Sequence, residues 1–188
     1  MQSCSWGGSQ SSRPVLAEQD ILHLIREGDV ILKCGYGSIS ELITKFLGEE
    51  IKISHCAIVV KDDEGNFIMA QSISGQLEDT DGVQTATLKR FLQDVRPNSF
   101  FLLRHISHET DAASIASKTH QLVGQKIPFD HSFDNTDTTS LYCSEFVNLI
   151  FRQQYGKDCF DVVKKGDLTV YSFNSLLNNP DFNKIYAW

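Results

Sequence analysis

The segment that decides the fold is S-H-C-A-I-V-V at residues 54–60, followed by D-D-E-G-N at 62–66 and F-I-M-A-Q-S-I at 67–73. Two runs rich in β-branched residues on either side of an acidic, glycine-containing turn predict a β-hairpin. If the register sum of the strands is even, His55 and Gln71 share a face, directly or diagonally opposed. A glutamine oxygen can accept from an imidazole N–H, so we predict that Gln71 orients His55; the alternative is an edge-strand glutamine facing water.

The second informative segment is L-Y-C-S-E-F-V at 141–147, which opens a predicted helix ending at Gly156. If Thr139 or Ser140 caps this helix, Cys143 falls in its first turn. There the helix dipole favours a thiolate, and free backbone N–H groups can face a developing oxyanion. Cys143 is therefore a candidate nucleophile, and the alternative is a small buried hydrophobic residue in a helix.

The chain has five cysteines and six histidines, and only some of them sit where catalysis needs them. The cysteines are Cys4, Cys34, Cys56, Cys143 and Cys159. Their odd number and the lack of a C-x-x-C pair predict at least one free thiol. Among the histidines, His55 at the mouth of a strand is the best-placed base, and His131 in the loop before Cys143 is its rival.

The remaining pattern predicts an α+β fold, a mainly antiparallel sheet packed against helices. We expect a flexible N-terminal tail over residues 1–14, rich in Ser, Gly and Gln, and a single catalytic domain over 15–188. Ser38 and Glu41 have the spacing of a capping box at the start of an amphipathic helix. Helices are predicted over 18–26, 38–47, 89–95 and 111–123, and further strands over 29–33, 83–88, 100–106 and 184–188.

Composition excludes several classes of function. The chain has 188 residues and a net charge of −7, without a basic stripe, so we predict no nucleic-acid partner. No apolar run approaches the ~18 residues of a membrane span, so no integral membrane segment is expected. No Cys or His pair has metal-ligand spacing, and we predict neither a metal site nor a cofactor.

Cys4 begins a small, polar tether that looks like the start of a mature bacterial lipoprotein. In that interpretation the signal peptide lies upstream, Cys4 carries a lipid anchor and the protein belongs to the cell envelope. The alternative is a plain N-terminal tail on a cytoplasmic protein.

The order of these motifs resembles the permuted papain-like cysteine hydrolases of the NlpC-type superfamily, specifically the YiiX/YaeF-like branch, with lecithin retinol acyltransferase as a more distant relative. The resemblance runs from about Gly28 to Tyr186. It implies a circularly permuted papain-like fold, because His55 precedes Cys143 by 88 residues. It also implies Cys143 as nucleophile, His55 as base and Gln71 at the third polar position, where relatives usually have an acidic residue.

The resemblance implies a hydrolase that cleaves an amide in a cell-wall peptide or similar small peptide through a Cys-His acyl-enzyme. Two alternatives stay open: a lipid acyl hydrolase or acyltransferase, and a non-catalytic binding module. Tyr142, before the nucleophile, is a candidate for the site lining or the oxyanion hole. Tyr36, in the glycine-rich C-G-Y-G-S turn at 34–38, is a candidate substrate contact.

Overall fold

The computed structural model describes residues 14–188, which form helices and strands in an α+β arrangement. The predicted tail of residues 1–14, with Cys4, lies outside the described residues except for Pro14. The helices are α1 Glu18–Ile21, α2 Ser38–Leu47, α3 Leu88–Leu92, α4 His108–Gln125, α5 Cys143–Tyr155 and α6 Phe173–Leu177. The strands are β1 Val30–Gly35, β2 His55–Lys61, β3 Phe67–Ile73, β4 Gly82–Thr87, β5 Val95–His105, β6 Val162–Lys165, β7 Leu168–Tyr171 and β8 Phe182–Ala187.

Six of the strands form one antiparallel sheet in the order β4-β3-β2-β1-β5-β8. The predicted hairpin is present as β2 and β3, with Ile58 opposite Ala70. Strand β1 is buried along its whole length, as its almost continuous apolar run demands of a central strand. The antiparallel sheet with packed helices confirms the predicted fold class.

Side chains alternate across the sheet, so each face builds its own apolar core. One core combines Cys56 and Ile58 of β2 with residues of α4 and α5, including Phe146 and Ile150. The other combines Ala57 of β2 with residues of α1 and α3. The two cores fix the sheet between two layers of helices and hold β2 rigidly in place.

Helix α5 packs on β2 and β3, and this packing places its N-terminus at the end of the hairpin. The Ser72 hydroxyl of β3 donates to the carbonyl of Leu141, two residues before the helix. On the buried side of α5, Val147, Ile150 and Phe151 fill the core. Cys143 is thereby anchored to the strand pair that carries His55 and Gln71.

Helix α2 covers the predicted residues but leaves its apolar face largely unburied. Leu47 is the one buried residue of the helix, whereas Leu42 is 67% exposed and Phe46 is 41% exposed. The predicted Ser38 cap is wrong, because Ser38 is the first helical residue and Gly37, with φ 105°, occupies the cap position. Gly48 follows the last helical residue and ends the helix in the left-handed conformation.

Several boundaries differ from the sequence prediction for local reasons. Helix α4 continues past Gly124 to Gln125, and Lys126, with φ 51°, occupies the C-terminal cap position. Helix α1 stops at Ile21 although helical spacing continues to 26. The hairpin of β6 and β7 and helix α6 were not predicted, because their segments are short and carry weak periodicity.

Candidate active site

Cys143 is the first residue of α5, and it is 9% exposed. The predicted caps Thr139 and Ser140 are wrong: the helix begins later, with Tyr142 at the cap position. Glu145 takes over the capping role, because its carboxyl oxygen accepts from the Tyr142 backbone N–H at 3.0 Å. The consequence for Cys143 is the expected one, a thiol in the first turn, near the positive end of the helix dipole.

His55 and Gln71 are joined side chain to side chain. His55 Nε2 lies 2.7 Å from Gln71 Oε1, and Gln71 is only 2% exposed. Continuing the register of Ile58 and Ala70 places His55 level with Ile73, so Gln71 is its diagonal neighbour on the same face. The imidazole packs against Phe91 at 5.7 Å between ring centroids. The glutamine therefore occupies one ring nitrogen and fixes the orientation of the ring.

The imidazole of His55 also interacts with Cys143. Both residues line one cavity, and His55 hydrogen-bonds the thiol. Since Nε2 is engaged by Gln71, Nδ1 is the nitrogen available to the sulfur. A hydrogen bond from the Cys56 thiol lowers the pKa of Cys143 well below its ordinary value, and His55 lowers it further through its hydrogen bond and charge; burial opposes both. The lowered pKa and the position at the helix N-terminus both favour the thiolate form of Cys143, as a candidate nucleophile requires.

Cys56 follows His55 in β2, points to the opposite face of the sheet and is completely buried. Its contact with Cys143 was not predicted: the Cys56 thiol and backbone N–H both hydrogen-bond Cys143. Burial, followed by these interactions with Cys143, raises the pKa of Cys56, which favours the protonated thiol that donates to Cys143.

Cys34 and Cys159 are buried cysteines that lack the partners of Cys143, and the pKa of each thiol differs accordingly. Burial is the largest influence on each, and it raises the pKa of both thiols. Cys34 donates to the carbonyl of Gly35 at 3.5 Å. Neither residue belongs to the lining of the cavity that holds Cys143.

Tyr142 and Tyr36 both line this cavity, at different places. The Tyr142 hydroxyl donates to Asn135 at 2.7 Å and accepts from the Tyr171 backbone N–H at 3.3 Å. With its one proton engaged, it is not a donor to an oxyanion, so that part of the Tyr142 prediction gives way to a lining role for the ring. The Tyr36 ring lies under the Arg96 guanidinium at 5.1 Å.

The cavity has a volume of about 580 Å³ and an uneven chemical lining. Its large apolar part includes the apolar face of α2 together with Leu77, Phe129, Phe133 and Leu168. Near His55 the lining is charged: Lys33 pairs with Asp94 at 2.5 Å, and Arg90 pairs with Glu78 at 3.0 Å. Lys33 stands directly opposite His55 in the sheet. In the sequence, Lys33 within the otherwise apolar segment of β1 is the feature that indicates this charged end of the cavity.

His131, the rival base, also lines the cavity, but its Nε2 lies 3.2 Å from Asp81 Oδ1 and its side chain is 59% exposed. It belongs to the loop wall rather than to the buried pair. Across residues 14–188, no three His, Cys, Asp or Glu side chains come together as ligands for a metal ion. In the same range no helix is long and apolar enough to cross a membrane.

Comparison with known proteins places this geometry in a family. The sequence matches the permuted papain-like amidase enzymes, YaeF/YiiX, C92 family, over residues 24–179. A crystal structure described as the metalloprotein yiiX from Escherichia coli O157:H7 superposes with a TM-score of 0.70 at 17% identity, covering 87% of this chain and 97% of that one. Among curated proteins nothing matches significantly. The fold is the predicted circularly permuted papain-like fold, and the chain belongs to the YaeF/YiiX family of permuted papain-like amidases, which makes it a cysteine hydrolase.

Proposed function

We propose that the protein hydrolyses an amide between an apolar acyl group and a small amino-acid or peptide amine, with Cys143 as nucleophile. The observation that carries the proposal is the buried arrangement of the Cys143 thiol, His55 and Gln71 at one end of an apolar cavity. A nucleophile, a base and a group that orients the base are the parts that acyl transfer requires.

In the proposed reaction the Cys143 sulfur attacks the amide carbonyl carbon, and its electron pair forms the thioester bond as the C–N bond breaks. His55 gives its proton to the departing amine. Water then attacks the thioester, His55 takes the water proton, and the acid and the thiolate separate. Gln71 keeps the ring in the orientation that both transfers need, because it accepts from Nε2 throughout.

The carbonyl oxygen becomes negatively charged in both steps and needs donors. The first N–H groups of a helix have no partner within the helix, and Cys143 opens α5. We assign the Cys143 backbone N–H as the main donor. This assignment replaces the Tyr142 hydroxyl, which is engaged by Asn135.

The uneven lining of the cavity supports the choice of substrate. The exposed apolar residues Leu42 and Phe46 of α2 line it together with Leu77, so an apolar acyl chain would be shielded there from water. The charged end at Lys33, Asp94 and Arg90 suits the polar amine side. A lipid acyl ester is the second candidate, favoured by the same apolar wall.

The cell-wall peptide substrate and the cell-envelope location, both predicted from the sequence, remain predictions. A cell-wall peptide without an acyl chain would occupy the charged end of the cavity and leave its apolar part empty. The lipid anchor at Cys4 and the cell-envelope location concern residues outside the described part of the chain.

The test is to incubate the full chain separately with N-dodecanoyl-lysine, N-acetyl-lysine, a cell-wall peptide and a phospholipid, and to measure products by mass spectrometry. We expect fastest hydrolysis of the N-dodecanoyl amide and no product with Cys143→Ala. A Cys34→Ser variant is the matched control and should retain activity. Faster cleavage of the cell-wall peptide or the phospholipid would contradict the proposed substrate, and activity in Cys143→Ala would contradict the mechanism.

A further inference from the structure

Cys56 is a second thiol beside the proposed nucleophile, and no bond forms to its sulfur in the proposed hydrolysis. It is fully buried on β2, on the face that packs against α5. It lies outside the cavity lining, so it does not contact substrate there. Its thiol and backbone N–H nevertheless hydrogen-bond Cys143. Cys143 thus has two partners, His55 on the cavity side and Cys56 on the core side.

This placement suits a sequential oxidation. Cys143 lines the cavity, from which a small oxidant can approach it, whereas Cys56 is completely buried and lies outside the lining. Reactive thiolates are the cysteines that peroxides oxidise, and a neighbouring thiol then resolves the product. Both residues sit on packed elements, β2 and α5, so the thiols are held together by the core rather than by a loop.

We propose that Cys56 is a resolving cysteine, which forms an intramolecular disulfide with Cys143 when a hydroperoxide oxidises the nucleophile. In the first step the Cys143 sulfur attacks hydrogen peroxide, the O–O bond breaks, and Cys143 sulfenic acid and hydroxide form. In the second step the Cys56 sulfur attacks the Cys143 sulfur, the S–O bond breaks, and the disulfide and one water form. Each peroxide thus takes two electrons from the two thiols.

The disulfide has two consequences. It removes the nucleophile from the acyl-transfer reaction, so the oxidised enzyme is inactive. It also stops oxidation at a reversible stage, because a dithiol reductant restores both thiols, whereas sulfinic acid at Cys143 is not restored by such a reductant. Cys56 therefore protects the nucleophile at the expense of temporary inactivity.

The experiment compares the wild-type chain, Cys56→Ser and the matched control Cys34→Ser, each treated with hydrogen peroxide, alkylated with N-ethylmaleimide and mapped by peptide mass spectrometry. We expect a Cys56–Cys143 linked peptide in wild type and in Cys34→Ser. In these two proteins, reduction with dithiothreitol after the peroxide treatment should restore the labelling of Cys143 by iodoacetamide. In Cys56→Ser we expect Cys143 sulfinic acid, and labelling that dithiothreitol does not restore.

The proposal is overturned if wild type gives Cys143 sulfinic acid without the linked peptide, or if Cys143 pairs with Cys159 instead. The linked peptide is sought in wild type, so the test does not depend on the folding of Cys56→Ser; Cys56→Ala provides a second variant. Iodoacetamide labelling before oxidation reports the nucleophile separately, so a failure of the disulfide is distinguishable from an unreactive Cys143.

Discussion

Cys143 and Cys159 belong to the same apolar core, yet their thiols have opposite properties. Both are at most 9% exposed. The pKa of Cys159 is raised well above its ordinary value by burial, whereas hydrogen bonds from Cys56 and His55 hold the pKa of Cys143 well below it. Burial by itself disfavours the thiolate, and we propose that the donors and the helix N-terminus at Cys143 make that buried thiol reactive.

The largest expected effect comes from removing the sulfur itself. Cys143→Ala should lower the rate of amide hydrolysis by about 10⁴-fold or more, because no other group can form the acyl-enzyme. The matched variant Cys159→Ala removes the inert thiol from the same core and should retain most activity. Steady-state kinetics with the N-dodecanoyl amide measures the hydrolysis rate of both variants. Equal losses of rate in the two variants would contradict the assignment of Cys143 as the nucleophile.

Removing the base should have the next largest effect. His55→Ala takes away a hydrogen bond and the charge that stabilise the Cys143 thiolate, as well as the proton donor to the leaving amine. We expect kcat/KM to fall by about 10²–10⁴-fold. His131→Ala alters the exposed ion pair with Asp81 and should leave kcat/KM within a few-fold. A larger loss in His131→Ala than in His55→Ala would exchange the roles of the two histidines.

Gln71 acts through His55 and should have a smaller effect. Gln71→Ala removes the partner of Nε2, and partners that orient functional histidines are typically worth about 10–100-fold. The loss should appear in kcat rather than KM, since Gln71 positions the base. Gln71→Glu should restore much of the activity, because a carboxylate also accepts from the ring. Gln84→Ala, at the facing position on β4, is the control.

Glu145 gives the smallest effect, on stability. Burial raises the pKa of Glu145 from its ordinary 4.5 to about 8, so the folded chain holds this proton more tightly than the unfolded chain. The associated stability is complete below about pH 4.5 and is lost as the pH rises to about 8. Glu145→Gln should therefore weaken the decline in the free energy of unfolding between pH 5 and pH 8, as measured by urea denaturation. Glu109→Gln, at an exposed site, should leave the decline unchanged.

Sequence patterns predicted the parts of the site that rest on local structure. Alternation in the hairpin put His55 and Gln71 on one face, and the helix beginning near residue 141 put Cys143 in a first turn. The cap was misplaced, because Tyr142 carries no capping oxygen on its side chain and Glu145 reaches back to its N–H instead. The helix itself was found because its apolar periodicity is strong.

Features that depend on packing between distant segments could not be predicted from the sequence. The contact of Cys56 with Cys143 joins β2 to α5 across a separation of 87 residues, and no spacing signals it. The apolar face of α2 looked like an ordinary buried face, and no lipid-facing patch was identified. Only the fold shows that this face lines the cavity with Leu42 and Phe46 exposed.

The most direct test of the central claim is the pH dependence of iodoacetamide labelling, followed for each cysteine by peptide mass spectrometry in wild type and His55→Ala. We predict that Cys143 labels fastest, keeps its rate as the pH falls below 8, and slows strongly in His55→Ala. Cys34, Cys56 and Cys159 should label slowly at every pH at which the protein is folded. Labelling of Cys143 at the same rate and with the same pH dependence as Cys159 would contradict the account.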